Sequence, residues 1–223
     1  MSHMPLIEFS SPTVIVCALA AIGLTGCAST PQESWDGLEP VSSRVMDGVW
    51  VNNEVSIPAY QSVMIDPVKV EFSQNWDPNS GTRSLSGRVT QSDIEAIRQG
   101  IADEFQKVFK EELARNGYQV VTAPSHETLR VSAGIIDVQI AAPDTMQAGT
   151  RTYTQRSGGM TLVMELSDSV TGERLARAVD RQEDMGTGGF QVTNRGTNLG
   201  GVRSAMRIWA NELIKGLNEL NGR

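Results

Sequence analysis

Apolar and polar positions along this chain repeat at two periods, near two and near 3.6, and the switches between them mark its elements. From Tyr60 to Phe72 the apolar density is that of a strand, but Val63 and Ile65 fall in one phase while Val68, Val70 and Phe72 fall in the other. That phase change, beside a proline that cannot donate to a ladder, predicts a bulge near Asp66-Pro67. Ser73 to Val89 reads as a loop, with turn chemistry in Asp77-Pro78-Asn79-Ser80-Gly81. Thr90 followed by Asp93 is a helix start signal, and Ile94, Ile97, Ile101, Phe105, Val108 and Leu113 then recur at three- and four-residue steps until Asn116-Gly117 stops them. Tyr118 to Thr122 is a short strand. Leu129 to Ile140 is a long one, changing phase near Ile135. Met160, Leu162, Met164 and Leu166 alternate cleanly, Asp168 to Glu173 is a tight hairpin connection with Gly172 free to take positive φ, and Leu175 to Arg181 returns. A final helix from about Gly201 to Leu220 places Val202, Ala205, Met206, Trp209, Leu213 and Leu217 on one face.

The order β-α-β-β-β-β-α predicts an α+β two-layer sandwich, a mostly antiparallel sheet of about five strands with two helices on one face. The uncovered face should be polar, as Thr161, Glu165, Arg177 and Arg181 suggest. If each strand reverses its predecessor, the long loops Ala141–Gly159 and Gln182–Gly200 leave the sheet at one end, with Ser73–Val89 at the other. Arg and aromatic residues dominate many interfaces, so Arg151, Tyr153, Arg156, Phe190 and Arg195 on the paired loops form a candidate partner surface.

The N-terminus follows neither period. Val14 to Leu24 is an apolar run of 11 residues, whereas a spanning helix needs about 20. It closes in Leu24-Thr25-Gly26-Cys27, the order of a lipoprotein signal: small residues admit a peptidase, and a cysteine thiol can carry a diacylglyceryl group. The predicted organisation is a signal peptide over residues 1–26, a tether and extended arm over 27–57, and one α+β domain over 58–223. Met1 to Thr13 holds no Lys or Arg, a departure from the usual basic start. Ala28, rather than Asp, after the anchor predicts sorting to the outer membrane, with acyl chains such as palmitate in the bilayer and the domain facing the periplasm. In the arm, Trp35 and Trp50 stand among Ser, Pro and acidic residues, as docking points on the domain or on a partner.

Composition narrows the chemistry. The net charge is −7, and no basic run is present, which argues against nucleic-acid binding. Cys17 and Cys27 are the only cysteines and His3 and His126 the only histidines, a set too small for a zinc cluster. No metal or cofactor is expected. Gly186-Thr187-Gly188-Gly189 lacks the Gly-Lys-Ser/Thr of a phosphate loop. Glu165, Asp168, Glu173 and Asp180 surround one hairpin and could include an acid/base pair. Turn capping, or pairing with Arg174, Arg177 and Arg181, is the plainer expectation. The reading is a non-enzymatic partner-binding module. A lipid- or glycan-handling accessory factor is the alternative and needs an apolar pocket. A carboxylate-dependent hydrolase comes third.

Met64-Ile65-Asp66-Pro67-Val68, Glu112-Leu113 before Gly117-Tyr118, Leu129-Arg130-Val131, and above all Asp168-Ser169-Val170-Thr171-Gly172-Glu173-Arg174-Leu175 followed by Ala178-Val179-Asp180-Arg181 resemble a proteobacterial lipoprotein family of unknown function. The resemblance runs from about Trp35 through the last helix. It implies an envelope lipoprotein with a small α/β domain, and it brings no catalytic residues. The architecture is also similar to accessory lipoproteins of envelope transport systems and to lipoprotein activators of cell-wall synthases, an analogy of fold only.

Overall fold

The structure is a computed structural model that describes residues 33–55, 59–80, 88–140, 153–154, 158–183, 191–192 and 195–222. Its main sheet has eight strands. These are β1 (Glu39–Val41), β2 (Gly48–Val51), β3 (Ser62–Ile65), β4 (Lys69–Phe72), β5 (Gln119–Val121), β6 (Thr128–Ile140), β8 (Gly158–Asp168) and β9 (Arg174–Glu183). A separate ribbon pairs β7 (Tyr153–Thr154) with β10 (Gln191–Val192), and the helices are α1 (Gln91–Arg115) and α2 (Arg195–Leu220).

The α+β class holds, but the sheet is mixed and larger than a five-strand antiparallel one. Its order is β1-β2-β9-β8-β6-β3-β5, with β4 also on β6. Both β3 and β4 run parallel to β6, and β3 runs parallel to β5. The physical reason is the crossover: α1 carries the chain back along the sheet, so β5 enters in the direction of β3. β6 therefore does not reverse its predecessor β5, contrary to the expectation of strict alternation. The single strand expected over Tyr60–Phe72 is two. Ile65 faces Val131 and Lys69 faces Gly134, four residues against three, so the phase change at Asp66-Pro67 is the extra residue of a bulge. Asp66 holds that kink, its carboxylate accepting from Arg130 Nε at 2.9 Å and Ser132 Oγ at 2.6 Å. The second irregularity lies between Ile136 and Gln139, where Asp137 takes φ of 51°.

Thr90 and Asp93 form a reciprocal capping box on α1, and Gly117, at φ of 81°, turns the chain away after it. The Thr90 hydroxyl and backbone N–H hold the Asp93 carboxyl below its ordinary range. Helix α2 begins at Arg195, earlier than Gly201. The helices join through Arg203 Nε to Glu104 at 2.6 Å, and that guanidinium's hydrogen bond keeps Glu104 ionised to lower pH than usual. One core unites helices and sheet. Phe105 and Phe109 stack at 4.0 Å, and both lie buried with Leu113, Val131, Ile135, Leu162 and Trp209.

Part of the arm is built into the sheet. β2 extends the edge of β9, pairing Gly48 with Val179 and Trp50 with Arg177. Trp35 meets Trp50 edge-on at 5.1 Å, and the Arg177 guanidinium lies 4.1 Å from the Trp35 ring centre. The Trp50 indole N–H donates to the Glu33 carbonyl at 2.9 Å. Beneath this cover, Glu165 accepts from Arg177 at 2.7 Å and forms an ion pair with Arg174, also at 2.7 Å. The face away from the helices is thus closed by ion pairs and cation–π contact, which hold the arm down.

Candidate functional site

The register assigns the loops to one end of the sheet. Ile140 of β6 faces Gly158 of β8, and Gly159 faces Glu183 of β9, so both long loops leave from neighbouring strand ends. Gly158 sits at φ of 120°, where an added Cβ would run into the Gln139 carbonyl oxygen. A glycine is thus what lets β8 start this close to β6. Beyond the strand ends, Gln191 of β10 pairs with Thr154 of β7 and Val192 with Tyr153, tying the two loops to each other.

The loop after β4 is at this end too, which corrects the expectation that Ser73–Val89 lies opposite. Because β4 is parallel to β6, both finish together. Ser73 N–H donates to the Val138 carbonyl at 3.0 Å, and Trp76 Nε1 donates to the Ile140 carbonyl at 3.0 Å. Trp76 also stacks on Phe72 at 4.3 Å. Sequence reasoning passed over Trp76; its place after a strand and ahead of a turn was the available signal. Under the strand ends a cavity of about 170 Å³ has Ile101, Val138, Met160 and Val202 in its walls and Gln139, Gln182, Glu183 and Ser204 at its polar side.

Of the candidate partner residues, Arg151, Arg156 and Phe190 lie outside the described residues. Tyr153 is in β7 and Arg195 opens α2. Leu24, Thr25, Gly26 and Cys27 also lie outside them. Among the described residues, no helix is long and apolar enough to cross a membrane, and no three His, Cys, Asp or Glu groups are gathered as metal ligands.

Of the four hairpin carboxylates, Glu165, Asp168 and Asp180 lie in three different environments. Glu165 is held by the two arginines already described. Asp168 accepts from Thr171 N–H at 2.7 Å, Val170 N–H at 2.9 Å and Tyr60 Oη at 3.2 Å. The Thr171 N–H above all lowers its pKa. Tyr60 is shifted the other way: burial, then the Asp168 charge, pushes its phenol well above the ordinary range. Asp180 is buried at 1% exposure and does not pair with Arg181, which instead reaches Glu183 at 2.9 Å. Asp180 accepts from Trp209 Nε1 at 2.7 Å, Gln182 Nε2 at 2.5 Å and Asp47 N–H at 3.3 Å. This carboxylate on the covered face joins α2, β9 and the arm, a link the sequence did not suggest.

A pH prediction follows from Asp168. Its folded pKa lies below the unfolded value near 3.9, so its stabilising contribution is complete above roughly pH 4 and lost as pH falls through the lowered value. Asp168→Asn should be less stable than the parent at neutral pH, and thermal unfolding should show that gap closing in acid. A gap that stays constant with pH would contradict it.

A larger groove of about 630 Å³ runs between the arm strands, β9 and the C-terminal half of α2. Its floor is apolar, including Val49, Val51, Met164, Leu166, Ala176 and Ala178.

A mixed eight-stranded sheet carrying two packed helices, with long loops gathered at one end, defines an α+β sandwich. Residues 28–213 match the family described as protein of unknown function, DUF3313, and the chain belongs to that family. No curated protein matches the sequence. Among solved structures, the chain is similar to a PelC dodecamer from Paraburkholderia phytofirmans, with 11% identity and a TM-score of 0.34 over 78% of this chain and 95% of that one. A minor lipoprotein from Acinetobacter baumannii is similar at 8% identity and TM-score 0.33, covering 72% and 94%. Lipoprotein GNA1162 from Neisseria meningitidis is similar at 12% identity and TM-score 0.24, covering 67% and 98%.

Proposed function

We propose that this protein is a lipid-anchored component of the bacterial cell envelope. It is fixed to the outer membrane through Cys27, faces the periplasm, and works without catalysis by binding a protein partner at its loop-bearing end. The observation that carries this reading is the convergence there of three loops, after β4, β6 and β9. Loops on a rigid scaffold are where binding residues concentrate. Three of the four hairpin carboxylates support a non-catalytic role, since Glu165, Asp168 and Asp180 are each occupied by structural partners. Arg156→Ala and Phe190→Ala should leave the unfolding temperature nearly unchanged and weaken capture of the same partner in pull-downs from cross-linked envelopes. Capture that does not depend on either residue, or variants that unfold, would overturn the assignment of this surface.

The accessory reading, in lipid or glycan handling, is favoured by one observation: the apolar groove beneath the arm, within the roughly 300–1,000 Å³ of small-molecule sites.

A further inference from the structure

On the helix-facing side of β9, consecutive positions are Ala176 and Ala178, opposite Val51 and Val49 of β2. Neighbouring helix-facing positions on β8, such as Leu162 and Met164, are large and buried, whereas the two alanines remain half-buried. Small side chains here leave the floor of the groove low. Its far wall is α2, through Leu213, Leu217 and Leu220, spaced to share one helix face. Val41 at 37% exposure and Leu220 at 43% are lips of the mouth. Arg44 and Lys215 stand at the mouth, exposed and without an ion pair among the described residues; Glu212 and Glu219 also line it.

We propose that this groove takes one acyl chain of a membrane phospholipid, with Arg44 and Lys215 against the headgroup phosphate. The floor residues named above are aliphatic or thioether side chains, which match a flexible alkyl chain and offer a peptide backbone nothing to bond. Reach points to the same occupant. This part rests on the anchor reading: Cys27 is six residues ahead of Glu33, which Trp50 of β2 holds by its carbonyl. Six extended residues span at most about 22 Å, so the sheet edge that borders the groove stays near the bilayer surface.

The test has two arms, each using the full chain. In the first, the lipidated protein is placed on phosphatidylethanolamine and phosphatidylglycerol vesicles doped with a diazirine-acyl phosphatidylglycerol. After illumination, adducts should map to the peptides Arg44–Val51 and Glu212–Leu220. In the second, dansyl-labelled undecanoic acid, which needs no bilayer, is titrated into the protein and should bind saturably. Ala178→Trp, filling the floor, should weaken the second arm about tenfold and remove the adducts. Leu220→Asp, at an exposed lip where folding is undisturbed, should weaken both. Saturable probe binding by a chain that fails to stay on vesicles would uphold the groove and overturn the anchor. A vesicle-bound chain with adducts only beside Cys27 and no probe binding would overturn the groove. So would self-association that these variants abolish without any lipid adduct.

Discussion

Replacing Trp209 with alanine is expected to destabilise the domain by about 3–5 kcal/mol. Trp209 is fully buried on α2, and its indole N–H is a donor to the buried Asp180. Truncation removes the largest fully buried side chain and leaves a cavity between helix and sheet. It also withdraws a hydrogen bond from a carboxylate with 1% exposure. Against a total stability of roughly 5–15 kcal/mol for a domain, that loss brings the protein near its unfolding threshold. Trp209→Phe separates the two contributions, because it keeps most of the apolar volume and loses only the donor. It should cost about 1–3 kcal/mol. Urea unfolding with an unchanged m-value measures both. A Trp209→Phe variant as stable as the parent would show that Asp180 does not depend on the indole.

The second large effect is on location. Cys27→Ser is expected to move the protein out of the outer-membrane fraction, either as soluble mature domain or as uncleaved precursor retained elsewhere. Lipid anchoring follows buried methylene count at about 0.8 kcal/mol each, and one chain alone holds only marginally. On the proposed anchor, losing the thiol would remove every chain at once, so partial retention is not expected. Fractionation and immunoblotting read the outcome, and a Cys27→Ser protein that stays with the outer membrane would contradict the anchor.

Trp209 also shows how far sequence reading carries. Its spacing from Met206, Leu213 and Leu217 put it on the buried face of a helix, because the 3.6 period reports burial directly. Its bond to Asp180 was hidden, since Asp180 lies on another element and its neighbour Arg181 offered a nearer partner in sequence. The same division runs through the sheet. Long strands such as β6 and β8 were legible from alternation, and the phase change at Pro67 located a real bulge. Direction was not legible, because Gln119–Val121 is three residues long and period says nothing about which way a strand points. Hence the single strand over Tyr60–Phe72 and the strand over Tyr118–Thr122 read as parts of an alternating, mostly antiparallel order, which puts the loop after Phe72 at the wrong end. β1 and β2 were missed as strands. Short edge strands with Pro40 and Gly48 carry almost no period, and what seats them is tertiary: Trp35, Trp50 and Arg177 meeting across the sheet. The candidate groove was not legible at all, since two alanines on a strand announce a missing side chain only when the opposing helix is known.

The measurement closest to the central claim is the mass of the N-terminal peptide of the protein taken from the outer-membrane fraction. The expected peptide starts at Cys27 and carries diacylglyceryl and acyl groups on it. A peptide with an unmodified Cys27, or one still joined to Leu24-Thr25-Gly26, would contradict it.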